Sequence, residues 1–268
     1  MELDKKIVYF YLKKESSAKK HFWSSVQMPC IRSDMEEYEL LLYEVPEFFC
    51  GKWGKKGKSG ESWKREQLLE LLKEKLEEPG IVDYYLQPAL SQMMEIEEKL
   101  PPEILLRQVM KQNLCWEYLF VIGSEDQADG CEAEEQKRLL FALLQEYFSR
   151  INHLTVVTDN PRIYAEIADY VYEEYGIPTA YASKLEKRIG KSKKTTVLDI
   201  RYRYLPPYAS IPTEATYIDF WSEEEKRERL QMKRRDVRYL STVKFLDTLA
   251  KNGYNTRVNQ THKQKEKK

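Results

Sequence analysis

The sequence predicts an α/β fold: a mostly parallel sheet with helices on both faces, Rossmann-like or flavodoxin-like, together with a smaller N-terminal α+β portion. Three observations lead there. The chain has 268 residues, more than one typical domain. Of these, 42% are hydrophobic, enough for a real core. From Trp116 on, apolar runs of strand length alternate with amphipathic stretches of helix length. Strands alternating with helices call for crossover connections, which are right-handed and cover a parallel sheet.

The elements follow in order. "KIVYFYLKK" (6–14) and "YELLLYEV" (38–45) are rich in β-branched and aromatic residues and read as strands, the second stopped by Pro46. "SWKREQLLELLKEKLEEPG" reads as a helix that Ser62 can cap, with Leu68, Leu69, Leu72 and Leu76 as its apolar stripe and Pro79-Gly80 as its stop. "IVDYYLQPALSQMMEIEEKL" reads as helical with an interruption at Pro88, and "PPEILLRQVMKQNL" as a helix opened by proline. "WEYLFVIGSED" and "HLTVVTDNP" are strands, each followed by a helix, the second ended by Gly176. "PTAYAS", "TTVLDIRYR" and "ATYIDFW" are further strands, and a helix of nearly thirty residues runs from Ser222. The expected division is 1–114 for the N-terminal portion, 115–252 for the three-layer unit, and 253–268 for a polar tail with little to bury.

Composition narrows the class. The chain has no apolar run long enough for a membrane span or signal peptide, so no membrane partner is expected. Cys30, Cys50, Cys115 and Cys131 are scattered without a CxxC pair, which points to free thiols in a reducing cytoplasm. The net charge is zero but divided: residues 184–268 carry +11 and residues 1–183 carry −11. Such asymmetry marks either a surface for an acidic partner or two faces that attract each other, within one molecule or between copies.

"FFCGKWGKKGKSGESW" (48–63) invites a phosphate-loop reading, which its spacing denies. That loop needs glycine, four residues, then Gly-Lys-Ser/Thr, so that the backbone N–H groups curl around a phosphate. Lys52 stands where the glycine must precede Gly57-Lys58-Ser59, and Leu185 stands there for Gly190-Lys191-Ser192. ATP binding of that kind is therefore not supported. What remains is a basic loop with Lys55, Lys58 and two nearby tryptophans, either a solvated turn or a contact for a nucleic-acid backbone. NAD binding is not supported either, because "VIGSEDQADG" has no GxGxxG.

In an open parallel sheet, ligands gather beyond the carboxyl ends of the strands. Glu125, Asp159, Asp199 and Asp219 stand at those ends, the last two within apolar runs. A buried carboxylate needs a cation, a donor or a functional reason. Converging, Asp199 and Asp219 with Asp159 would suit Mg²⁺ and phosphoester chemistry. The competing reading pairs Asp199 with Arg201 or Arg203 and gives Asp159 or Asn160 to capping the next helix. His21, His153 and His262 sit in no zinc motif.

The final helical stretch, "SEEEKRERLQMKRRDVRYLSTVKFLDTLAKN", opens with a capping box of Ser222 and Glu225 and crowds Arg227, Lys233, Arg234, Arg235 and Arg238 together. With Lys191 and Lys193, these are the residues for contact with phosphates; the plain alternative is a solvated helix. The expectation is a binding protein whose basic C-terminal face contacts nucleic acid or an acidic protein. The alternatives are a metal-dependent phosphate-processing enzyme and a charge-complementary assembly.

Overall fold

A computed structural model describes residues 5–13, 30–35, 37–46, 58–96, 99–123, 130–185, 194–202 and 204–251. The chain divides into two compact units, Met1–Pro102 with Leu246–Lys268, and Glu103–Phe245. Among the described residues no helix is long and apolar enough to cross a membrane.

The first unit is built on a mixed four-stranded sheet. Its elements are β1 (Lys5–Lys13), β2 (Cys30–Met35), β3 (Tyr38–Pro46), α1 (Lys58–Leu76), β4 (Ile81–Leu86) and α2 (Pro88–Met94), with strand order β2-β3-β1-β4. β1 is parallel to β3 and β4, while β2 runs antiparallel to β3. Alternation sorts the side chains: Val8, Phe10, Leu41, Tyr43 and Val45 face Leu68 and Leu72 of α1 and Leu90 and Met94 of α2. The segment expected to be helical from Ile81 is instead a strand up to Leu86. Its Ile, Val and paired Tyr suit a pleat, and β1 offers a free flank for Ile81 to pair with Lys6 and Leu86 with Phe10.

The second unit carries the predicted α/β layers. It contains α3 (Glu103–Lys111), β5 (Tyr118–Ile122), α4 (Gly130–Leu144), β6 (His153–Val157), α5 (Ala165–Tyr175), β7 (Thr179–Ala182), β8 (Thr195–Asp199), β9 (Thr216–Asp219), α6 (Glu224–Lys233), β10 (Arg238–Ser241) and α7 (242–251), the last continuing past Phe245. The six strands are all parallel, in the order β10-β9-β8-β5-β6-β7. β5 lies inside the sheet. β6 and β7 are added on one side of it and β8, β9 and β10 on the other, so the winding direction reverses between β5 and β8. Right-handed crossovers then place α4 and α5 on one face and α6 on the other. On the α6 face, Leu230, Tyr208 and Ile211 pack against Phe120, Val197, Tyr217 and Tyr239.

The long C-terminal helix does not form. α6 ends at Lys233, and Arg238–Ser241 becomes strand β10, parallel to β9. The break falls at Arg234, whose backbone leaves the helical region (φ −140°, ψ 73°). Its guanidinium is bound by the carbonyls of Tyr208 (2.7 Å), Ile211 (2.5 Å) and Pro212 (3.2 Å) and by Asp236. The capping box fails too. Ser222 sits at φ 59°, whereas an N-cap is extended, and Glu223 takes that position without a side-chain cap. Asp219 supplies the missing acceptor, binding the Glu223 N–H at 2.9 Å.

Candidate functional site

Asp199 and Asp219 end adjacent strands and are partners in the β8–β9 ladder, so their side chains emerge side by side on the α6 face. Both are completely buried. Three donors converge on Asp199: the Arg201 N–H at 3.0 Å, the Lys226 ammonium at 2.9 Å and the Tyr217 hydroxyl. Four converge on Asp219: the Trp221 and Glu223 N–H groups at 3.2 and 2.9 Å, the Tyr239 hydroxyl at 2.7 Å and Lys226 at 3.3 Å. Tyr217 and Tyr239 are themselves ladder partners one row below the carboxylates, which is why both hydroxyls reach upward to them.

Lys226 is the centre of this arrangement. It lies in the first turn of α6, is fully buried, and also donates to the Arg201 carbonyl at 3.2 Å. Burial alone would lower its pKa, but Asp199, Asp219 and Glu223 around it raise the ammonium above its ordinary range. Burial pushes Asp199 above the usual carboxylate range, with Lys226 pulling the other way. Tyr217 and Tyr239 are held well above the normal phenol value, by burial first and then by the adjacent carboxylates.

The arrangement answers the metal reading. Asp199 and Asp219 do converge, but the cation between them is an ammonium from the same chain. A divalent ion would have to displace Lys226 from a site closed to solvent. Asp159 takes no part: it is exposed beyond β6, two strand spacings or about 10 Å from β8. Among the described residues no group of three or more His, Cys, Asp or Glu side chains is placed to hold a metal. Glu125, Lys55, Lys191, Lys193 and Arg203 lie outside the described residues, and Lys58 is the first residue of α1 in the other unit.

Arg201 does not pair with Asp199 through its side chain. The guanidinium crosses to the rim of β5 and β6, where it donates to the carbonyls of Gly123 and, at 3.3 Å, Val157, with Tyr204 stacked 4.6 Å away. Gly123 is required there, because a Cβ would stand 2.6 Å from Cζ of Tyr164. Asn160 caps the turn after β6 through the Arg162 N–H.

The basic residues of the C-terminal stretch divide into two sets. Arg227 and Arg229 are engaged by Glu224 and Glu225 on their own helix, Arg234 by Asp236, and Lys233 lies 5.2 Å from the Tyr208 ring centre. Arg235 and Arg238 are exposed and make no ion pair among the described residues. Lys244 joins them. Its ammonium donates to the Tyr239 carbonyl at 2.8 Å, and burial, then Arg238 and Arg227, hold its pKa below the ordinary lysine value.

Sequence reading missed Lys226, Tyr217 and Tyr239. A faint signal for Lys226 exists. It stands one turn before Leu230, the one buried apolar side chain of α6, so both share the inward face. Comparison with family models, with curated proteins and with solved structures finds no match to this chain.

Proposed function

We infer that this chain is a binding protein whose basic C-terminal face contacts an acidic partner, a nucleic acid or an acidic protein. The observation that carries the reading is the crowding of Arg227, Arg238 and Lys244 at β10. Burial and then the two guanidinium groups depress the lysine there, and Arg238 makes no ion pair among the described residues. Cations crowded this closely repel one another, and an incoming anion relieves that repulsion. Arg235, exposed three residues before β10 begins its ladder, extends the patch.

The six-stranded sheet, wound in the Rossmann-like order with β5 and β8 at the reversal, serves as the rigid support for this face. The free thiol of Cys115 suits a reducing, cytoplasmic setting.

The test measures binding of a fluorescent single-stranded oligonucleotide and of a poly-glutamate peptide as salt is raised. Binding should weaken linearly on a log–log plot, and Arg235→Glu with Arg238→Glu should flatten the oligonucleotide slope by about 1–2. Unchanged affinity for both ligands in that double variant would dismiss the reading.

A further inference from the structure

The six-stranded sheet has two edges, and the molecule treats them differently. At β10 the Arg238 N–H donates to the Ala215 carbonyl. In a parallel ladder, Arg238 and Leu240 therefore turn their peptide groups toward β9, and Tyr239 and Ser241 turn theirs outward. That outer side is occupied: Lys244 binds the Tyr239 carbonyl, and Tyr239, Leu240 and Ser241 are all buried. A lysine laid along an edge is a means by which proteins keep a further strand from adding.

Among the described residues β7 has no such guard. The Thr158 N–H donates to the Ala182 carbonyl, and Val157 pairs with Ala182. Ala180 and Ala182 thus face β6, while the peptide groups of Thr179 and Tyr181 point away from the sheet. Among the described residues nothing hydrogen-bonds the backbone of Tyr181 on that side. The strand, Thr-Ala-Tyr-Ala, has no charge and no proline, and its residues are exposed or half-buried.

Its surroundings indicate what would add there. Between Ala165 and Lys184 the chain carries four acids and one base. Glu166 is taken by Lys137, while Asp169, Glu173 and Glu174 stand exposed. Tyr181 is 39% exposed, its hydroxyl lies close enough to Asp169 to feel its charge, and Tyr172 is 63% exposed nearby on α5. On the opposite face of the sheet a mainly apolar groove reaches β7, lined by Phe120, Thr155, Pro178 and Ala180 and by His153 stacked 4.7 Å from Tyr118.

We propose that β7 accepts an extended basic segment of a partner polypeptide as a seventh strand of this sheet. Its backbone bonds the outward peptide groups of Thr179 and Tyr181. Because side chains alternate with a period of two, one set lies over the groove and the other beside Tyr181 and the acids of α5. The segment that fits has apolar residues alternating with lysine or arginine. This surface is separate from the β10 patch and stands or falls independently of it.

The probe is a nine-residue synthetic peptide alternating valine and lysine, added to the intact 268-residue chain. Three results are expected: salt-sensitive binding, slowed hydrogen exchange at the Tyr181 amide, and about tenfold weaker binding in Tyr181→Pro, which removes an outward N–H and leaves the β6 ladder intact. If that variant fails to fold, the unaltered protein is tested with a peptide N-methylated at alternate residues, which should bind about tenfold more weakly than its parent. Equal binding of a valine–glutamate peptide, unchanged exchange at Tyr181 with peptide bound, or equal binding of the N-methylated peptide overturns the proposal. Self-association of the free protein through β7, with Tyr181 already protected, overturns it as well.

Discussion

The ammonium of Lys226 lies 2.9 Å from the carboxylate of Asp199, and neither side chain exposes any surface. With Asp219 it forms a buried ionic group that ties α6 to the carboxyl ends of β8 and β9. Buried ion pairs repay their desolvation only when every remaining hydrogen-bonding position is filled. Here the two tyrosine hydroxyls and three backbone N–H groups fill them.

Removing the ammonium should therefore be far worse than replacing the whole group. Lys226→Met leaves two carboxylates facing each other in the dry interior and should lower unfolding free energy by about 3–5 kcal/mol. Adding Asp199→Asn to that variant should recover part of the loss, since the two sites share one network. Urea titration reads both; a loss below about 1 kcal/mol for the single variant would contradict the burial described.

Two tyrosines with similar burial should respond oppositely to losing their hydroxyls. Tyr217 donates to Asp199, so Tyr217→Phe should cost about 1–3 kcal/mol. The Tyr9 hydroxyl, in the first unit, is fully buried without a hydrogen-bond partner among the described residues, so Tyr9→Phe should be neutral or stabilising by up to about 1 kcal/mol. Thermal unfolding of the two variants side by side gives the comparison.

Gly123 should tolerate no side chain while Tyr164 lies against it. Gly123→Ala should destabilise by about 1–3 kcal/mol, and Gly123→Ala with Tyr164→Ala should cost less than the two single changes added together. Additive costs would show that Tyr164 is not what excludes a Cβ.

Asp236 should supply part of the acid limit of stability. Arg234 hydrogen-bonds its carboxylate and lowers its pKa from 3.8 to about 2. The folded value lies below the unfolded one, so this contribution is complete above the unfolded pKa and is lost as pH falls through about 2. Asp236→Asn should thus lose stability near neutral pH, and its gap from the unaltered protein should close on acidification. A gap that widens toward low pH would reverse the assignment.

The layers of the second unit were legible because they follow from local pattern. "YLFVI", "LTVV", "TTVLD" and "TYID" are apolar enough to be buried on both faces, and Gly176 ends α5 with a positive φ of 68° as its sequence implies. The strand at Ile81 was not legible, because a short apolar run lacks a period that separates helix from strand. β10 was hidden for a different reason. "RYLS" continues a helical pattern, and only the capture of the Arg234 guanidinium by three carbonyls more than twenty residues earlier interrupts it.

By itself the sequence determined most of the succession of strands and helices in the second unit, the parallel character of its sheet, and the presence of two aspartates needing a cation, a donor or a functional reason. Periodicity and the cost of burying charge act over a few neighbouring residues, so a linear reading reaches them. Tertiary structure decided which cation answers those aspartates and, among the described residues, which arginines stay uncompensated and which sheet edge stays open. Lys226 and Arg235 are both cationic residues in the same charged stretch. Lys226 shares the inward face of α6 with Leu230 and reaches Asp199, while Arg235 lies beyond the end of that helix, in water.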